Sequence, residues 1–191
     1  MNTHDTTKVL RYRWLIFGLL ALAYLFVYFH RFALSVVAVD LDKAFQPSAV
    51  LMGILGSVYF YCYAFMQFPA GLISDSLGPR KGVAWFLVLA SIGSIMFGMA
   101  PNIGIAIVGR LLVGLGVSLV FIATMKILSQ WFRATEFAFM AAVLNAVGGV
   151  GMLVSTAPLA FMAAHLGWRI SFEFIGAITL AIAVMVWFVV K

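Results

Sequence analysis

Six long apolar runs dominate the chain, at about 14–38, 49–74, 82–100, 103–128, 137–164 and 168–190. Each approaches or exceeds the ~20 residues a helix needs to cross a bilayer. The interruptions have local causes. Asp40, Asp42, Lys43 and Pro47 make a polar break, and Asp75 to Lys81 a charged turn. Pro101-Asn102, Arg133-Ala134-Thr135-Glu136 and Leu166-Gly167 supply the other three. The pattern predicts an all-α integral membrane protein: a short tail, residues 1–13, then a six-helix transmembrane domain, residues 14–191. The first run is too long, and lacks the small-residue cleavage site, for a cleaved signal peptide.

Composition agrees. Hydrophobic residues make up 65% of the 191 and charged residues only 9%, against roughly 25% charged in soluble domains. The net charge of +6 is not a nucleic-acid patch, because the basic residues sit singly or in pairs between apolar runs. Lys8, Arg11, Arg13, Arg80, Lys81, Lys126, Arg133 and Lys191 fall on one side of the predicted layer; only Lys43 and Arg169 fall on the other. Positive charge favours the cytoplasmic side, so the expectation is an inner cell membrane protein with both termini in the cytoplasm. Trp14, Trp85, Trp131, Trp168 and Trp187 all lie near predicted helix ends, the level indole prefers.

The other two basic residues, Arg31 and Arg110, lie inside helices. Intramembrane charges are costly and face a bundle interior or a watery cavity. Arg31 is about eight residues from the outer end of its run and Arg110 about seven, near 12 and 10 Å deep at 1.5 Å per residue. No carboxylate shares that depth, so two guanidinium groups at one level form a fork for an anion. The alternatives are that Arg110 bonds backbone carbonyls or a carboxylate of a second half of the protein, and that Arg31 snorkels outward. Helical phase adds Tyr24, Tyr28 and Ser35 to the Arg31 stripe, Tyr59, Tyr63 and Gln67 to one on the second run, and Asn145, Gly149 and Thr156 to the fifth. The substrate-binding candidates are therefore Arg31, Arg110, Tyr24, Tyr28, Tyr63, Gln67 and Asn145. The tyrosine stripe of the second run serves equally well as packing. The third run offers only Ser91 and Ser94. His4, His30 and His165 are widely separated, and Cys62 is alone; no metal, cofactor or enzymatic chemistry is expected.

Pro69 to Arg80 and Pro158 to Arg169 both read P-x8-G-x-R with leucine before the glycine. The first crosses in one direction and the second in the other, which predicts a three-plus-three inverted repeat.

The stretch YAFMQFPAGLISDSLGPRK, Tyr63 to Lys81, resembles the signature of the major facilitator superfamily, G-x-x-x-D-R-x-G-x-R-[RK]. Gly71, Asp75, Gly78, Arg80 and Lys81 match; Ser76 departs from the usual basic residue. Gly109 to Gly116 is similar to the family's R-x-x-x-G-x-G in the fourth helix. Gly167 to Phe172 is similar to its G-W-R-x-x-F at the sixth. The resemblance covers essentially the whole chain but half of the family's usual twelve helices, and implies the N-terminal half of a secondary transporter. It implies that Asp75 locks the two halves together. It also implies that helices 1, 2, 4 and 5 border the pathway while 3 and 6 face lipid.

Tyr28 to Ser35 resembles the Y-x-D-R-x-x-L-S of organic anion symporters, whose arginine takes the substrate carboxylate. His30 stands where those relatives carry the proton-coupling acid, and is the proton-coupling candidate; the alternatives are a satisfied packing histidine and an exchanger that needs no proton. The fifth helix lacks the glycine-proline pattern of drug antiporters. The expected function is alternating-access transport of a small organic anion, with lipid and a second six-helix half or a homodimer partner around it. A split or truncated protein without transport activity, or a neutral-sugar or drug transporter, are the alternatives. Lys191 follows the sixth run directly, so no linker between halves is expected within these residues.

Overall fold

A computed structural model describes residues 3–190, with side chains described from Tyr12 onward. His4, Lys8, Arg11 and Lys191 lie outside the described side chains. Lipid offers the backbone no hydrogen bonds, so a spanning chain folds as helix. The described residues form six such spans: Tyr12–Val36, Ala49–Leu77, Pro79–Gly98, Ile103–Trp131, Ala134–Leu166 and Trp168–Val189. From the end of the first span onward, every boundary lies within three residues of its expected place. The third span starts earlier than expected because Pro79, Arg80 and Lys81 form its first turn, where proline needs no N–H partner.

Helix α1 (Thr3–Val36) contains the first span and continues back through the predicted tail. The expected polar break after it is a short helix, α2 (Ala38–Phe45). Asp40 in its first turn and Lys43 in its last suit the helix dipole, and Leu41 is buried beneath it. Gln46 ends it in the left-handed region before Pro47. Ser48 caps α3 (Ala49–Leu77) through the Leu51 N–H at 3.3 Å. The third span is α4 (Pro79–Gly98). Asn102 caps α5 (Ile103–Ser118), which passes through Leu119 into α6 (Val120–Trp131) to complete the fourth span. The fifth span is α7 (Ala134–Val154) and α8 (Ala157–Leu166), interrupted at Ser155 and Thr156 just before Pro158, which has no N–H to continue the ladder. The sixth is α9 (Trp168–Val189).

The repeat is visible in backbone and in bonding. Gly78 and Gly167, the matching glycines, have φ/ψ of 80/144 and 82/153, a region open in practice only to glycine. Two residues after each comes the matching arginine. Arg80 donates to the Val190 carbonyl at the end of α9, at 3.2 Å. Arg169 donates to Gly98 at 3.2 Å and to Ala100, at the end of α4. Each guanidinium thus sits on the negative dipole end of the other helix. Ser91 and Ser94 tie the same pair of helices, donating to Gly176 and Phe172 at 2.8 and 2.9 Å. The polar residues of α4 are therefore packing bonds to α9.

The basic residues gather as expected. Tyr12 reaches the Val189 carbonyl, Arg13 pairs with Glu136 at 3.1 Å, and Lys126 pairs with Asp75, all at the end that holds Arg80. Phe45 and Trp168 meet at the opposite end with Arg169. Only 11% of the apolar stretch of the second span and 22% of the fifth is buried, against 56% for the third and fourth. The large uncovered faces thus belong to α3 and to α7 with α8, where Phe60, Phe65, Phe68, Phe139 and Phe161 stand exposed.

Candidate functional site

Arg31 and Arg110, 79 positions apart in sequence, line one cavity of about 310 Å³. It lies between α1, α3 and α5, and Phe32, Ser35, Met52, Gly56 and Phe60 contribute to its walls. The R-x-x-x-G-x-G segment explains how α5 reaches this position. A Cβ on Gly114 would lie 2.6 Å from the Tyr59 carbonyl oxygen, and one on Gly116 would lie 2.3 Å from the Ala90 nitrogen. Glycine at both lets α5 press its backbone against α3 on one side and α4 on the other.

Arg110 is fully buried, 1% exposed. Its Nη1 donates to the His30 carbonyl at 2.8 Å, while Nε and Nη2 have no hydrogen-bond partner among the described residues. The backbone-carbonyl alternative is thus realised by one nitrogen of three. The guanidinium carbon stands 4.8 Å from the Tyr59 ring centre. Tyr59 stacks on Tyr63 at 6.2 Å and 13°, and its hydroxyl donates to Val27 at 3.4 Å. Arg31 completes the ladder: its guanidinium carbon is 4.9 Å from the Tyr63 ring and 5.1 Å from Tyr28. Its Nε is buried and also without a partner among the described residues. Two cations separated by stacked tyrosine faces are stabilised by the ring quadrupoles. Neither is neutralised: the ion pairs among the described residues are Arg13–Glu136 and Lys126–Asp75.

The other predicted residues are placed differently. The Tyr24 hydroxyl donates to Asn145 Oδ1 at 3.4 Å, and the Tyr24 ring meets Tyr28 at 5.3 Å. Tyr24 and Asn145 thus continue the Arg31 stripe toward the basic end without lining the cavity. Gln67 donates to the Ser118 carbonyl at 3.4 Å, where α5 passes into α6. His30 is buried against α9, with Nε2 3.1 Å from Thr179 Oγ1. The Thr179 hydroxyl donates to Ile175, so its oxygen accepts from the histidine N–H. The ring therefore points away from the cavity, although its own carbonyl holds Arg110.

In the signature turn, Asp75 pairs with Lys126, Arg80 holds Val190, and Gly78 makes the sharp turn between α3 and α4. Lys81 is exposed. Nothing lies within 4 Å of a Cβ built on Gly71, so no helix among the described residues packs closely there. Tyr59 was not among the substrate-binding candidates, yet it stands between the two arginines. The signal for it was the i, i+4, i+8 spacing of Tyr59, Tyr63 and Gln67 on one face.

The sequence model of the Major Facilitator Superfamily matches residues 20–191. The chain belongs to that superfamily. Among relatives in the superfamily, it is 29% identical to a galacturonate transporter of Dickeya chrysanthemi, over 91% of this chain and 50% of that protein. It is also 29% identical to a hexuronate transporter of Bacillus subtilis (strain 168), over 84% of this chain and 38% of that one. In fold it is similar to a bacterial homolog of the human lysosomal transporter Spinster, solved in an inward-facing, occupied conformation. The TM-score is 0.86 at 19% identity, covering 94% of this chain and 44% of that one. The chain thus spans half or less of the length of these superfamily members.

Proposed function

We propose that this chain is the N-terminal half of a secondary transporter that carries a small organic anion by alternating access. The anion is bound by Arg31 and Arg110. The observation that carries this reading is the shared cavity. Two guanidinium groups line it at membrane depth, with three buried nitrogens unpartnered and no carboxylate paired to either among the described residues. Burying charge in lipid is costly unless something compensates it, and an anion compensates both at once. The carboxylates named for the galacturonate and hexuronate relatives have the matching chemistry. Tyr28 and Tyr63 orient the Arg31 fork, while Tyr24, Gln67 and Asn145 extend the polar stripe along the pathway. The second half covers the exposed faces of the second and fifth spans, and Gly71 and Asp75 meet it on the cytoplasmic side. The distribution of basic residues supports an orientation in the cell's inner membrane with both ends of the chain in the cytoplasm.

The test is uptake of labelled D-galacturonate into proteoliposomes holding the protein expressed from its full gene. Arg31→Ala is expected to raise KM by at least about tenfold, the loss of a charge-assisted hydrogen bond. Uptake with unchanged KM after Arg31→Ala refutes the anion site and points to a neutral substrate.

A further inference from the structure

We infer that Gly148 is a positioning residue of the anion site, acting through the Tyr28 ring that carries Arg31. The inference rests on Arg31 as an anion ligand. Gly148 is buried on the face of α7 that packs on α1. A Cβ built there would lie 2.9 and 3.0 Å from two carbons of the Tyr28 ring and 3.1 Å from one of Tyr24. Its nearest Tyr28 contact is thus about half an ångström short of an ordinary 3.4 Å contact.

The contacts meet ring atoms, not backbone, so it is the tyrosines that must give way. Tyr28 has little room to do so without disturbing its neighbours. Tyr24 stands against it at 5.3 Å, Phe32 lies at 6.4 Å, and the Arg31 guanidinium sits 5.1 Å from its ring. Displacing Tyr28 therefore displaces one of the two rings that hold the Arg31 fork. Binding constellations tolerate misplacement of only about 0.5 Å before they lose function.

Gly149 is the control built into the same helix. Nothing lies within 4 Å of a Cβ there, and the residue is exposed. Alanine is the better helix former at both positions, so a deficit specific to Gly148 cannot come from helix propensity.

The experiment measures D-galacturonate uptake by the full-length protein in proteoliposomes for Gly148→Ala, Gly149→Ala, Tyr28→Leu and the Gly148→Ala/Tyr28→Leu pair, with Arg31→Ala alongside. Gly148→Ala is expected to raise KM about tenfold with Vmax retained, and Gly149→Ala, whose Cβ meets neither Tyr24 nor Tyr28, not to reproduce that KM-only defect. Because Gly148 acts through the Tyr28 ring, the pair is expected to show the KM of Tyr28→Leu alone, the signature of coupled residues. Unchanged KM in Gly148→Ala, with Arg31→Ala defective, overturns this inference and leaves the anion site standing. An Arg31→Ala protein with unchanged KM removes the anion site and this inference with it. If Gly148→Ala fails to accumulate in the membrane, the pair, in which the two closest contacts are removed, is expected to restore it. A pair that also fails shows that Gly148 serves helix packing instead, and overturns the inference.

Discussion

Replacing Arg110 by lysine keeps the charge and removes the fork. In the native arrangement Nη1 is committed to the His30 carbonyl at 2.8 Å, and Nε and Nη2 are the donors left for a ligand. A lysine ammonium is a single nitrogen on a flexible stem. In this buried place it goes to the His30 carbonyl, the acceptor already at hand, and the two donors left over in the native arginine are lost. A hydrogen bond to a charged group contributes about 1.5–3 kcal/mol, so the expected loss of anion affinity is roughly ten- to 150-fold. The assay is competition between labelled and unlabelled D-galacturonate for binding to the purified full-length protein, with thermal melting as the check on folding. Arg110→Gln runs in parallel: its amide also satisfies the His30 carbonyl but carries no charge, so it is expected to bind still more weakly. Native affinity in a well-folded Arg110→Lys protein refutes the reasoning, because the unpartnered nitrogens would then contribute nothing to binding.

Three further outcomes are expected. Gly78→Ala and Gly167→Ala should each lower stability by about 1–3 kcal/mol, the usual cost of a side chain in this backbone region; thermal melting of both checks whether the two turns are equivalent, and an unaffected variant denies it. His30→Gln should leave the pH dependence of uptake as it was, because the ring packs on Thr179 outside the cavity; a flattened pH profile would restore His30 as the proton-coupling residue. Asp75→Asn should leave melting almost unchanged, since the Asp75–Lys126 pair is exposed and such pairs contribute about 0–1 kcal/mol. Its uptake rate should nonetheless fall, and an unaffected rate excludes a locking role for Asp75.

The spans were legible because lipid punishes every unpaired backbone group, and long apolar runs have one available answer. The repeat was legible for a similar reason: few residues other than glycine tolerate the turns at Gly78 and Gly167. The helix α2 was not, because eight residues carrying Asp40, Asp42 and Lys43 look like a loop until Leu41 is seen to be buried. Depth along a helix is additive, so the common level of Arg31 and Arg110 was readable from residue counts. Direction around a helix is less forgiving. His30 and Arg31 are neighbours in sequence, yet one step rotates a side chain by about 100°, and the two rest against different spans. The role of Tyr59 was open because a tyrosine stripe serves packing and lining alike. The contact of Gly148 with Tyr28 was not legible until α1 was in place beside it.

The reciprocal arginine bonds between the third and sixth spans bear on how the protein is made. Arg80 and Val190 are 110 residues apart, and Arg169 and Gly98 are 71 apart. While the ribosome is still working on the fifth span, Arg80 has no Val190 to hold and the carbonyls of Gly98 and Ala100 have no guanidinium. Both deficits are repaired together when α9 enters the membrane. The third span therefore enters the bilayer before the partners of its two ends exist, and the sixth supplies both when it follows.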